Sequence, residues 1–215
     1  YLEVALQGAQ GNTFTGGTTI TAGMLQIGSG GATGSIVGNI ANSGILAFNR
    51  SGSFTYSGVI SGTGSLVKDG AGTLTLSGSN TYAGPTTVNS GVLSVSGSLA
   101  DTAVTIAGGA TLGGAGSIAG AVTFASGATL APGASPGTLT VGSLNLSPGT
   151  ILNYELSTPF VVGSGVNDLV AVTGSLTLDG TLNVADAGNF GAGTYTLMTY
   201  GGALTKLVKL GINTI

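Results

Sequence analysis

The chain of 215 residues contains no histidine and no cysteine, and its four lysines and arginines face seven carboxylates, so that only 5% of residues are charged. Each shortage excludes something. Without cysteine there is no disulfide framework and no thiolate metal site. Without histidine the commonest general base is missing. A net charge of -3, a pI near 4.3 and no local basic cluster remove the electrostatic footprint that nucleic acid requires, so DNA and RNA are not expected partners. No run approaches the roughly eighteen apolar residues that a membrane-crossing helix needs. No basic, apolar, small-residue leader opens the chain, so an exported form is expected to be a processed piece. The opening Leu2-Glu3-Val4-Ala5-Leu6-Gln7-Gly8 is close to a tag-cleavage sequence and carries little weight.

What is abundant is glycine, 42 residues of it, with an apolar fraction of 42% that argues for a packed core rather than disorder. The glycines punctuate a recurring unit, a glycine followed by alternating polar and apolar residues. It appears as Gly23-Met24-Leu25-Gln26-Ile27, Gly44-Ile45-Leu46-Ala47-Phe48, Gly72-Thr73-Leu74-Thr75-Leu76 and Gly91-Val92-Leu93-Ser94-Val95, then from Gly109, Gly127, Gly137, Gly174 and Gly193. The glycines at 72, 91, 109 and 127 follow one another at 19, 18 and 18 residues. The period-two alternation predicts half-buried strands, with Leu74 and Leu76 facing inward and Thr73 and Thr75 outward. Helical periodicity is nowhere sustained.

Short strands between glycines also suit an antiparallel sandwich. Hairpin signals are scarce, however, and the unit returns at about one coil length, which favours a solenoid. The expected fold is all-β, a right-handed parallel β-helix formed as a single-stranded β-solenoid, with two or three strands per coil and glycine at corners that need positive φ.

Gly133-Ala134-Ser135-Pro136-Gly137 fits the G-x-S-x-G pattern of a hydrolase nucleophile. Its supporting parts are missing. Pro136 has no amide hydrogen for an oxyanion and holds Ser135 extended. Three of the four cations, Lys68, Lys206 and Lys209, sit in what read as solvated strand ends. Ser135 is therefore expected at a corner, and no catalytic residue is assigned. Asp69, Asp101, Asp168, Asp179 and Asp186 are scattered, and Lys68-Asp69-Gly70 and Leu178-Asp179-Gly180 read as turn caps. A polysaccharide-cleaving site would need two carboxylates brought together from different coils. The glycine cluster from Gly28 to Gly34 has no aspartate to hold calcium, so no metal or cofactor is expected. Thr73/Thr75 and Thr138/Thr140 do not recur in every coil and read as ordinary strand residues. Phe14, Phe48, Phe54, Tyr56 and Tyr82 could stack sugars but are expected in the core.

A longer repeat lies within this ladder. Asn12 to Ile27 aligns without gaps on Asn80 to Val95, with seven of sixteen positions identical and four further apolar exchanges. The unit resembles the passenger-associated transport repeat of bacterial autotransporters, N-T-Y-x-G-x-T-T-[IV]-x-x-G-x-L-x-[VI]. Pro85, at the second open position of that pattern, replaces the glycine usual there, and residues 4–12 depart from the usual lead-in. The stretch from Gly44 to Gly78 resembles segments between such repeats, and Asn167 to Gly202 is similar to the C-terminal junction, or autochaperone, region of passengers. The resemblance implies two regions: residues 1–150, a β-helix stalk with repeats at about 12–27 and 80–95, and residues 151–215, the junction. It further implies a Gram-negative origin, a surface or released location, a C-terminal β-barrel translocator as partner, and a non-enzymatic role as stalk and folding driver of an adhesin. Binding of host glycans or self-association is the alternative, and a polysaccharide-active enzyme the second. The tail from Lys206 to Ile215 fits neither a barrel nor the helical linker that precedes one.

Overall fold

The computed structural model describes residues 16–133 and 135–206 in full and residues 3–6 and 211–213 as backbone. Every paired strand runs parallel to its neighbour. One isolated antiparallel bridge, Gly114 to Gly133, stands apart. The chain is a parallel β-solenoid with three faces, entered in fixed order by each coil. In one coil, Ile60–Ser61 lies on the first face, Ser65–Asp69 on the second and Thr73–Leu76 on the third. The next coil repeats the order with Ser79–Asn80, Thr86–Val88 and Val92–Val95.

Alternation along each strand decides what is inside. Thr73–Leu76 buries Leu74 and Leu76 and turns Thr73 and Thr75 outward, as expected. Parallel register then places like on like. On the third face, Phe54, Leu74, Leu93, Leu112, Leu130, Leu152 and Leu182 form one continuous inward stack. Burying a leucine of this kind contributes roughly 1.5–3 kcal/mol, so each coil is stabilised chiefly by the coils it touches.

Two expectations need correction. Positive φ accounts for only seventeen of the described glycines. Others are required because stacked corners bring backbone against backbone. A Cβ on Gly44 would lie 2.5 Å from the carbonyl oxygen of Gly23, and one on Gly64 would collide with that of Gly44. The unit at Gly193 also forms less strand than its pattern suggests, since only Met198–Tyr200 is paired there. Leu197 still packs on the core, and its carbonyl accepts the amide of Val170 at 3.0 Å. At the tail, Gly211–Asn213 pairs with Thr181 to Asn183, adding a rung of solenoid. At the other end Glu3–Leu6 pairs with Met24–Ile27.

The two repeat copies occupy different faces. Thr18–Ile20 pairs with Ile40–Asn42 on the first face, whereas its sequence equivalent Thr86–Val88 pairs with Leu66 to Lys68 on the second. Met24–Ile27 is likewise on the second face and Val92–Val95 on the third.

Candidate functional site

The repeat signature builds a corner. Asn80 is buried, and its amide donates to the carbonyls of Gly78 at 3.0 Å and Ser98 at 3.2 Å while its Oδ1 accepts the amide of Ile60 at 2.9 Å. One side chain thus fastens three successive coils. Tyr82 is buried, with its hydroxyl 2.6 Å from that of Thr86, and Thr102 donates to the carbonyl of Gly84 at 2.5 Å. Burial pushes the Tyr82 phenol up to about 12, so it stays a neutral partner. A side chain on Gly84 would collide with the carbonyl of Gly64, which fixes glycine there. The repeat signature at Asn80 to Thr87 is therefore structural: its described side chains are spent on holding the corner.

Lys68 was expected at a solvated strand end, and this is wrong. It occupies an inward position between Phe48 and Val88 and is 2% exposed. Its ammonium donates to the carbonyls of Asp69 at 2.9 Å, Gly70 at 2.8 Å and Ser90 at 3.0 Å. All three protons are used at one corner. Desolvation lowers its pKa, and the charge of Asp69 partly opposes the shift. Lys206 is exposed, and Lys209 lies outside the described residues.

Among the aromatics, Phe48, Tyr56 and Tyr82 are buried and Phe54 packs against the core, as expected, while Phe14 lies outside the described residues. Asp69 accepts the Asn89 amide from the next coil at 2.9 Å, and Asp179 caps the amide of Gly180 at 2.6 Å. Asp101 is exposed, and Asp186 accepts the amides of Gly188 at 2.7 Å and Phe190 at 3.1 Å. The turn-capping reading of Asp179 fits its contact, Asp69 instead links to the next coil, and Asp186 caps a turn to which that reading did not extend.

Ser135 is exposed at the corner between Thr129–Pro132 and Thr138–Leu146. It borders a groove of about 390 Å³ shared with Gly133, Asn153, Glu155, Asp168 and Asn183. Here the ladder between Thr129–Pro132 and Ile151–Leu156 holds only as far as Leu152. The carboxylate of Asp168 fills the breach: Oδ1 accepts the amide of Gly137 at 2.9 Å and Oδ2 that of Glu155 at 2.7 Å. Asp168 is 1% exposed. Burial pushes its pKa from 3.8 to about 6, against the pull of those two amides and with a smaller push from the charge of Glu155. Since the folded value exceeds the unfolded one, the folded state binds the proton more tightly. This contribution to stability is complete below pH 4 and is lost as pH rises through about 6. Asp168→Asn should therefore flatten the dependence of melting temperature on pH between 4.5 and 7, a window over which Asp168 contributes at most about 2 kcal/mol to the difference in stability. An unaltered profile in the variant would disprove this assignment.

Two long corner connections, 157–168 and 187–197, leave the strands that line this groove; no pattern in the sequence marks the first, and in the second the unit at Gly193 reads as a strand. Asn167 organises the first: its Oδ1 accepts the amide of Ser157 at 2.6 Å, and its amide donates to the carbonyls of Thr158 and Val161 at 2.7 Å each. The amide of Phe160 bonds the carbonyl of Thr194 at 2.8 Å, and Tyr195 donates to the carbonyl of Ser157 at 3.3 Å, tying the two together. The rings of Phe190 and Tyr195 stack at 5.0 Å.

The family described as passenger-associated-transport-repeat matches residues 5–27 and 66–95. Over 200 residues, 90% of the chain, the sequence is 49% identical to the adhesin BmaC autotransporter of Brucella suis biovar 1 (strain 1330), of which it spans 6%. A stretch of 46 residues, 21% of the chain, is 54% identical to the extracellular serine protease of Serratia marcescens and spans 4% of it. The chain thus corresponds to a small part of each relative. The matched repeats form the corners that hold a parallel solenoid together, and the similarity extends along nine-tenths of the sequence; the chain belongs to the passenger domains of autotransporters.

Proposed function

We propose that this chain is a non-enzymatic β-helical segment of an adhesin-type passenger, displayed at the surface of a Gram-negative bacterium beyond a C-terminal β-barrel translocator. The observation that carries this reading is the unbroken inward stack on the third face, in which each coil rests on its neighbour. Such an object can grow coil by coil from any formed edge. No ATP is available outside the outer membrane, so folding free energy is the natural bias on transport. Residues 151–215 serve as the template, because a C-terminal end that emerges and folds first offers a formed edge to the coil behind it.

Polar replacement of Leu182 or Leu197 should lower surface display severalfold more than the same change at Leu25, read by surface antibody labelling of the full-length precursor. Equal losses at all three positions would remove the template role.

Glu155 and Asp168 border one groove, which favours a second reading as a polysaccharide-cleaving enzyme. The engagement of both Asp168 oxygens by backbone amides weighs against it, since a general acid or nucleophile needs an oxygen directed at substrate. The word protease in the name of the Serratia protein does not transfer to a chain without histidine, whose Ser135 precedes proline.

A further inference from the structure

We propose that the groove beside Asp168 and the two connections at 157–168 and 187–197 together bind an uncharged glycan. The proposal rests on the chain being part of a displayed passenger. Phe160 is 76% exposed, Val162 49% and Phe190 44%, the most open apolar surface among residues 151–197. Phe160 has φ 66° and Ser164 φ 61°, the two non-glycine residues with positive φ among the described residues. A bulky side chain is rarely held in that region. The surrounding hydrogen bonds hold Phe160 there with its ring in solvent, where it does nothing for the core.

Reach is adequate. Phe160 follows Glu155 by five residues, and Phe190 follows Ala185 by five, so the Cα of each lies within about 18 Å of the groove's strands even at full extension. The groove offers acceptors and donors side by side: the exposed carboxylate of Glu155, the hydroxyl of Ser135 and the Asn153 amide, whose Oδ1 takes a hydrogen bond from Asn183 at 2.8 Å. A cationic side chain would need acceptors alone, whereas sugar hydroxyls use both. The apolar face of a pyranose ring suits an exposed phenylalanine.

Charge narrows the occupant further. No lysine or arginine occurs between residues 69 and 205, and the charges around the groove are Glu155, Asp168 and Asp186. Nucleic acid, anionic lipid and sialylated or sulfated glycans are repelled, and a second copy of this face would bring acid against acid.

The test uses the whole chain on a printed array of uncharged hexose and N-acetylhexosamine oligosaccharides, with sialylated and sulfated members alongside. Binding to uncharged members is expected, weakened roughly tenfold or more in Phe160→Gly and in Asn153→Ala. Thr55→Ala, far along the rod, should bind normally. Phe160→Gly should also melt no lower than the wild type, because glycine adopts positive φ freely. This separates lost recognition from lost folding. Binding confined to charged glycans, binding indifferent to both variants, self-association in place of glycan binding, or no binding at all would each overturn the site. Normal surface display of a chain that binds no glycan would remove the site and leave the passenger role standing.

Discussion

Lys68→Met unfolds at lower urea concentration than the wild type, with a loss of about 3 kcal/mol and an unchanged m-value. The substitution keeps length and apolar bulk and relieves the desolvated charge, which acts in favour of the variant. Against it stand the carbonyls of Asp69, Gly70 and Ser90, which converge on the ammonium and belong to the backbone of two coils. They cannot be removed with the lysine. An acceptor left without its donor loses the full desolvation term, about 1–3 kcal/mol each where water cannot enter. Burial disfavours the charge and lowers the pKa, so the sign of the result depends on the corner carbonyls outweighing it. A variant as stable as the wild type would show that water, not Lys68, satisfies those carbonyls.

A second substitution of similar size adds one methyl group. A Cβ on Gly142 would collide with the carbonyl of Ala119 and lie 2.8 Å from the carbonyl oxygen of Gly120. The neighbouring strand is irregular here: the register between Ser117–Phe124 and Thr138–Leu146 shifts between Ile118 and Ala121, pushing Ala119 and Gly120 towards the next coil. Backbone cannot swing aside as a flexible side chain can. Gly142→Ala should therefore lose about 3 kcal/mol, at the upper end of overpacking effects. Gly191→Ala meets nothing within 4 Å and has ordinary φ, and should change stability by no more than about 0.5 kcal/mol. Thermal unfolding of the two side by side decides the matter; similar melting temperatures would mean that the coils can separate locally at little cost.

Much of the fold was legible because its signal is local. Alternation in Thr73–Leu76 and Val92–Val95 named the inward residues without reference to any partner. Ser135 was legible as a corner because proline at 136 has no amide hydrogen, a fact independent of context. Lys68 was misread because its inward placement depends on register with Phe48 and Val88, and its solubility in the core on carbonyls from residues as distant as Ser90. Asp168 was treated as one scattered acid because its partners, Gly137 and Glu155, are 31 and 13 residues away. The exposed ring of Phe160 had no signal at all, since exposure and positive φ come from the way two connections brace each other.

The sequence by itself determined a kit of units: short strands with one apolar side, joined by glycine-bearing corners, unable to bury that side alone. It did not determine where each unit falls. Equivalent glycines at 23 and 91 are 68 residues apart, while the stacked positions Leu25, Leu46, Leu66 and Thr86 recur every 20 or 21 residues. The second copy therefore arrives three coils and about one face further on. Only the stacked structure decided this, because pairing with the preceding coil, rather than likeness of sequence, fixes the rotation of each strand about the axis.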